Sequence, residues 1–220
     1  MHSKGFVHGD LKCDNILVTS GASPQAKLCD FDRSFDWSAL KDELLVNGLA
    51  ADAGDLSSGN QLGNRLSARF SALGALVIAP NNNMFVCDSG NQLVRKIAGD
   101  TVSSFNAAPR PSGIAVDSSG YVYFMDELNN RVFKQPPEGS AWTFATGSSI
   151  DTPKGITIDS TDNICITDKN RVLKFTPTVE MSVVAGSGMS GFVNAVGESA
   201  RFSTPWGLTI GSDGGLHQEQ

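Results

Sequence analysis

Pro111-Ser112-Gly113-Ile114-Ala115-Val116-Asp117-Ser118-Ser119-Gly120 decides the fold, because the chain writes nearly the same line again at Pro153-Lys154-Gly155-Ile156-Thr157-Ile158-Asp159-Ser160-Thr161-Asp162. Val77-Ile78-Ala79-Pro80 and Leu208-Thr209-Ile210-Gly211 read as two further copies. Asp88, Asp126 and Asp168 each close the apolar run that follows, at intervals of 38 and 42 residues. A period of about 40 residues means stacked supersecondary units. At the two ends of the region Ser67-Ala68-Arg69-Phe70-Ser71 recurs as Ser199-Ala200-Arg201-Phe202-Ser203, 132 residues on, which is three units of 44.

Within one period the pattern predicts four short strands, Gly113–Val116, Tyr121–Met125, Arg131–Gln135 and Trp142–Ala145, each rich in β-branched or aromatic residues and separated by Gly, Asn, Asp or Pro. No helix-length amphipathic period interrupts them. Four antiparallel strands per repeat make one propeller blade, whose faces are buried against the neighbouring blades. The expected fold is mainly β. It is a partial, open β-propeller of about three four-stranded antiparallel blades, with partial end blades near Leu44–Gly48 and Trp206–Gly211.

Residues about 44–211 resemble the NHL-repeat propeller family, whose signature joins an aspartate-ended strand to an Asn-containing turn and a further apolar strand. Here it stands as Asp88-Ser89-Gly90-Asn91-Gln92-Leu93-Val94, as Asp126-Glu127-Leu128-Asn129-Asn130-Arg131-Val132, and two residues shorter as Asp168-Lys169-Asn170-Arg171-Val172. Gln92 and Asn130 replace the histidine of the family name. The resemblance specifies architecture far more than function. Its Asp and Asn side chains are expected to bond local backbone amides in turns rather than to hold a metal.

Composition narrows the remaining classes. The 220 residues are 40% hydrophobic and 18% charged, which suits a folded soluble chain. Residues 1–45 hold 5 basic against 7 acidic side chains, and residues 46–220 hold 12 against 16, for the overall charge of −6. Neither part offers a basic field, so nucleic acid and membrane are not expected partners. Arg95, Lys96, Arg131, Lys134, Lys169, Arg171 and Lys174 recur at similar repeat positions and are expected to point outward into solvent. The longest apolar run, Ala75 to Ala79, is far too short to span a bilayer, and the first residues lack the apolar core of a signal peptide. A cytoplasmic location is expected. Cys13, Cys29, Cys87 and Cys165 show no CxxC spacing and read as buried free thiols.

The first 36 residues carry another signal: His8-Gly9-Asp10-Leu11-Lys12-Cys13-Asp14-Asn15, followed by Lys27-Leu28-Cys29-Asp30-Phe31. This stretch resembles the catalytic loop and Asp-Phe-Gly segment of serine/threonine-type protein kinases. The resemblance implies Asp10 to accept or orient the proton of the attacking hydroxyl, Lys12 to offset charge on the transferred phosphoryl group, and Asn15 and Asp30 as Mg²⁺ ligands. Ile16–Val18 and Lys27–Cys29 would form a hairpin around Gly21-Ala22-Ser23-Pro24, returning Asp30 beside Asn15. Three departures weaken the activity it implies. Gly9 stands where the family often has arginine. Asp32 replaces a glycine, adding a Cβ and a third carboxylate. The sequence shows no Gly-rich loop, strand lysine, partner glutamate or Ala-Pro-Glu segment.

The expected organisation is therefore a kinase-like fragment over 1–36, a linker over 37–66 with a possible first partial-blade strand, NHL-type repeats over 67–211, and a tail over 212–220. The expected function is a protein-interaction module carrying a kinase remnant that is inactive in this chain. The alternative is a fragment of an active ATP-dependent kinase with the propeller as sensor or docking domain. No cofactor is expected in this chain, and Mg-ATP only as part of a complete kinase. A propeller hydrolase or lyase is disfavoured, because His2, His8 and His217 lie outside the repeats. Self-association through open propeller edges is expected, since exposed blade faces cost about 25 cal/mol per Å² of apolar area.

Overall fold

The computed structural model describes residues 16–18, 26–28, 58–146, 149–211 and 216–218. The chain divides into two compact units, Met1–Ala50 and Ala51–Gln220. In the first, β1 (Ile16–Val18) pairs antiparallel with β2 (Ala26–Leu28), Ile16 opposite Leu28 and Val18 opposite Ala26. The expected hairpin is present, with its second strand one residue earlier than Lys27–Cys29.

The second unit is a β-propeller arc. Blade 1 runs β4 (Leu73–Ile78), β5 (Met84–Asp88), β6 (Leu93–Ala98) and β7 (Thr101–Ala107); blade 2 runs β8 (Pro111–Val116), β9 (Val122–Asp126), β10 (Arg131–Gln135) and β11 (Trp142–Thr146). Blade 3 runs β12 (Pro153–Ile158), β13 (Ile164–Asp168), β14 (Arg171–Phe175) and β15 (Met181–Ala185). β16 (Leu208–Ile210) and β17 (Leu216–Gln218) are the first two strands of a fourth. Each blade is an antiparallel meander in sequence order, as the β-branched and aromatic runs dictate. Blade 1 departs from four strands, because β3 (Gly63–Asn64) pairs with β7 and makes a five-stranded sheet.

Register aligns the blades residue by residue. Leu76 opposes Val86, Ile114 opposes Phe124, Ile156 opposes Ile166 and Leu208 opposes Gln218. The first copy of the repeat therefore begins at Leu76, one residue before the Val77 that sequence matching favours. Ala79 takes the place of the turn aspartate there, which let the match slide. β17 lies within residues 212–220, read from sequence as a tail, and brings His217 to the register position of Phe85, Tyr123 and Cys165. A bulge follows Val94, Val132 and Val172 in each third strand, adding the local twist that turns one blade onto the next.

The second strands carry the core, with every residue of β9 and β13 buried. Phe85, Cys87 and Val94 of blade 1 meet Ile114, Val122 and Phe124 of blade 2. Tyr123, Met125 and Phe144 of blade 2 meet Ile156, Ile164, Ile166 and Phe175 of blade 3. Ala68, Val86, Ile97 and Val102 gather on the leading face of blade 1, with Phe70 packed against them. Each fully buried side chain of this kind stabilises the fold by about 1.5–3 kcal/mol. Cys87 and Cys165 are buried free thiols, and burial pushes them up to about 12 and about 11. Cys13, Cys29 and the partial blade expected near Leu44–Gly48 lie outside the described residues.

Glycine is required at two of the three places where inner strands converge; at the first, β4 carries Ala75 in the same position. A Cβ on Gly113 would lie 2.9 Å from the Lys154 carbonyl oxygen of blade 3, and one on Gly155 would collide with the Trp206 carbonyl of blade 4. Thr167 fastens the latter junction: its Oγ1 accepts from the Gly155 amide at 2.7 Å and donates to the Trp206 carbonyl at 3.2 Å.

Candidate functional site

The meander order places the turns between second and third strands at the same end of the arc as the loops joining one blade to the next. That end is organised by the three repeat aspartates, all buried. Asp88 Oδ1 accepts from the Ser71 amide at 2.8 Å, while its Oδ2 accepts from Asn91 Nδ2 and Arg95 Nε, each at 2.8 Å. Asp168 repeats the scheme with the Asp151 amide and Arg171 Nε. Asp126 Oδ2 accepts from Asn129 Nδ2 at 2.6 Å, but Oδ1 has no partner. The reason is local: the position of Ser71 and Asp151, two before the inner strand, is Pro109 in blade 2, which has no N–H. Asp88 and Asp168 thus cap amides of the inter-blade loops 17 residues earlier, not amides of their own turns as expected, and each of the three aspartates also holds an Asn or Arg side chain of its own turn or third strand.

The asparagines tie blades together. Asn130 Oδ1 accepts from the Thr152 amide at 2.8 Å and Asn170 Oδ1 from the Thr204 amide at 3.2 Å, each reaching the loop into the following blade. Among the described residues no group of three His, Cys, Asp or Glu side chains could hold a metal ion.

Six of the seven recurring cations face a carboxylate. Lys134 Nζ lies 3.6 Å from Asp117, Lys174 2.9 Å from Asp159, Lys96 3.4 Å from Glu138, Lys169 2.8 Å from Asp151, and Arg171 2.8 Å from Asp168. Arg95 contradicts the solvent-facing expectation. It is fully buried, paired to Asp88 at 2.8 Å and stacked 5.8 Å from the Phe70 ring centroid, with Nη1 unpartnered. Its repeat counterparts are the apolar Phe133 and Leu173, so blade 1 replaces a core side chain by an ion pair. Burial and the Asp117 carboxylate together push the Tyr123 phenol up.

The recurring Ser-Ala-Arg-Phe-Ser segments prove to be two copies of one loop. The Gly59 amide donates to the Phe70 carbonyl at 3.0 Å and the Gly191 amide to that of Phe202 at 3.1 Å. Arg69 to Gln61 and Arg201 to Val193 repeat a second bond, and Ala68 and Ala200 are the buried anchors. The copies differ in what they present. Gly63–Asn64 of the first pairs with β7 and is flanked by exposed Leu62 and Leu66, whereas in the second Val196, the counterpart of Asn64, is an apolar side chain 93% exposed. On the same loop Phe192 is 73% exposed, with Met189 and Val193 also exposed. Sequence reading found the motif and missed this crown, since its apolar residues are scattered among Gly, Ser and Asn without strand or helix period.

Asp10, Lys12, Asn15 and Asp30, the residues to which the kinase resemblance gives catalytic and metal roles, lie outside the described residues.

No family model and no curated protein matches the chain. Solved structures do. Virginiamycin B lyase from Staphylococcus aureus is 19% identical with a TM-score of 0.54, covering 67% of this chain and 48% of its own. A streptogramin B lyase is 18% identical, TM-score 0.55, with the same coverage. A nidogen/laminin complex is 16% identical, TM-score 0.57, covering 70% and 58%. The chain spans about half the length of these structures, and the likeness establishes the β-propeller fold.

Proposed function

We propose that the propeller region is a protein-interaction module whose contact surface centres on the loop from Gly186 to Ser203. One observation carries this. Met189, Phe192, Val193 and Val196 are exposed on a loop whose backbone is pinned by bonds from the Gly186, Ser187, Gly191 and Arg201 amides. Apolar side chains held outward on an ordered frame are what docking surfaces present. A propeller in the nidogen/laminin complex lends support, as a related fold in a protein assembly. The carboxylate partners of the recurring cations favour protein over nucleic acid as ligand. Among the described residues no helix is long and apolar enough to cross a membrane. A reducing compartment such as the cytoplasm suits the free thiols of Cys87 and Cys165.

The test is partner capture with a photoreactive side chain at position 192, compared with the Phe192→Asp/Val196→Asp double variant. Proteins captured by the first and lost from the second are expected. An identical set from both would overturn the reading.

A second reading concerns the N-terminal unit. The antiparallel pairing of Ile16–Val18 with Ala26–Leu28 is the hairpin a kinase-derived segment would use to return Asp30 toward Asn15. We assign it as a kinase remnant, inactive in this chain, because phosphoryl transfer depends on positioning and Asp32 stands in place of the motif glycine, adding a Cβ and a third carboxylate after Asp30. Calorimetry with Mg-ATP is expected to show no tight binding. Micromolar binding abolished by Asp30→Asn would favour the alternative, a piece of an active kinase.

A further inference from the structure

One position of the third strand is a lysine in all three blades. Lys96, Lys134 and Lys174 stand opposite Phe85, Tyr123 and Cys165 of the second strands. Lys174 donates to Asp159 at 2.9 Å and Lys96 to Glu138 at 3.4 Å. Lys134 is held differently. Its Nζ stands 3.6 Å from Asp117 Oδ2, well beyond the about 2.7–2.9 Å of a charge-assisted N–H···O bond. It lies 4.4 Å from the Tyr121 ring centroid and 4.9 Å from that of Tyr123. Trp142, opposite Lys134 in the sheet, sets its ring edge-on to Tyr121 at 5.9 Å. The chain has 2 tyrosines, and both face this one ammonium. The places of Tyr121, Tyr123 and Trp142 hold Asn83, Phe85 and Ser103 in blade 1 and Asn163, Cys165 and Ser182 in blade 3. Blade 2 is packed on one face by blade 1 and on the other by blade 3, so this setting owes nothing to the ends of the array.

We propose that Lys134 is a methylation site, and that Tyr121, Tyr123, Trp142 and Asp117 form the box that holds its methylated ammonium. A bare ammonium carries three donors that lose free energy when they leave water without acceptors. Methyl groups replace those donors and keep the charge, and aromatic faces are the surfaces that recognise alkylated ammonium groups. The spacing agrees. Methyl carbons about 1.5 Å from Nζ, splayed around the ring axes, meet the rings near the carbon–carbon contact distance of about 3.5–4.0 Å. Lys174, bonded to Asp159 at 2.9 Å, has no such space before its carboxylate. The Lys134 side chain is 17% exposed, and rotation about its four-carbon stem brings the amine out to an external methyltransferase. There the amine, its proton released to solvent, attacks the methyl carbon of a sulfonium donor; the C–N bond forms as the C–S bond breaks, and the donor leaves as a thioether. The inference stands apart from the Gly186–Ser203 loop and its partners.

Mass spectrometry of the full chain isolated from the cells that make it is the first test. A peptide spanning Lys134 with the added mass of one to three methyl groups is expected, and Lys134 found unmethylated throughout would overturn the proposal. The box is tested on the full chain carrying trimethyl-lysine at position 134 by genetic encoding. Its methyl protons, lying over the tyrosine rings, should resonate upfield of those of free trimethyl-lysine and return to the free position in Tyr121→Leu. Methyl resonances at the free position in the unsubstituted box would place the group outside it and refute the assignment. Urea denaturation gives an independent reading: trimethyl-lysine should keep or raise the midpoint of the unmodified chain, while acetyl-lysine at the same position, which removes the charge, should lower it. Equal losses from both would show that the rings do not hold an alkylated cation.

Discussion

Blades 2 and 3 share a register and fill it differently. At the position facing the third-strand lysine, blade 2 has Tyr123 and blade 3 has Cys165. Lys134 lies 4.9 Å from the Tyr123 ring centroid, and Tyr123 donates from its hydroxyl to Asp117 at 3.2 Å. Lys174 passes the small Cys165 and bonds Asp159 directly at 2.9 Å. Gly113 and Gly155, Asp126 and Asp168, and the two Asp–Lys pairs are common to both blades. What the repeat keeps is a glycine under a neighbour's carbonyl and polar side chains with a fixed polar partner: Asp168 on a loop amide, Asp126 on Asn129, and one Asp–Lys pair in each blade. Apolar core side chains are free to vary, since cores accept any well-packed filling of the right volume.

The sharpest way to break that rule is at the glycines. Gly155→Val must displace the Trp206 carbonyl and Thr167, both fixed by hydrogen bonds, and is expected to cost at least about 3 kcal/mol. Gly113→Val meets the flexible end of Met125 as well as a carbonyl and should cost less. Gly74→Ala, whose added Cβ finds its nearest atom at 3.5 Å, should be close to neutral in a single arc. Urea melts of the three variants give the order directly; equal losses would mean that inner-strand approach does not set the glycine positions.

Next in size is Asp168→Ala, which strands the Asp151 amide and Arg171 and should cost about 2–3 kcal/mol. Its titration sharpens a contrast inside blade 3. Burial holds the Asp168 carboxyl above the ordinary 3.8, against the pull of the Asp151 amide and Arg171. At Asp159 burial also pushes upward, but bonds from Asn163 and Lys174 outweigh it and hold the group far below 3.8. The signs are opposite. Asp159 contributes stability above its unfolded pKa that is lost as pH falls through the acid range, while the Asp168 contribution is present at low pH and lost as pH rises through its raised folded pKa. Asp159→Asn should therefore flatten the fall in Tm on acidification from about pH 6 to about pH 3, and Asp168→Asn should steepen it. Parallel curves for both variants would show that these carboxylates titrate alike.

How much of this was legible in the sequence follows the same division. The period, the four strands of blade 2 and the aspartate turns could be read because backbone-contacting residues recur unchanged at Pro111 to Gly120 and Pro153 to Asp162. β17 could not, because Leu216-His217-Gln218 places polar residues where the second strands of complete blades carry apolar ones. Arg95 deceived for a related reason: one-dimensional alternation marks a cation as outward, and only its approach to Asp88 and Phe70 makes a buried position tolerable. The exposed crown of Phe192 and Val196 needed the structure, since its meaning lies in contrast with the paired Gly63–Asn64 of the equivalent loop.

The smallest expected effect tests the one place where a backbone contact itself is missing. Blade 2 keeps Asp126 but offers it Pro109 instead of an amide, so one buried oxygen goes unbonded. Pro109→Ser supplies the donor that Ser71 supplies in blade 1. The new bond should stabilise by about 1 kcal/mol, and loss of the proline's restriction on the unfolded chain should cost about 0.4–1 kcal/mol. The net change is then near zero and uninformative alone. The double-mutant cycle with Asp126→Asn separates the two, because the entropic part belongs to the unfolded chain and cancels around the cycle. A coupling of about 1 kcal/mol between positions 109 and 126 is expected, since an amide facing the Asn side-chain oxygen gains less than one facing a carboxylate. Zero coupling by urea denaturation would mean that the Asp126 oxygen is already satisfied in solution, and that blade 2 differs from its neighbours in sequence without differing in energy.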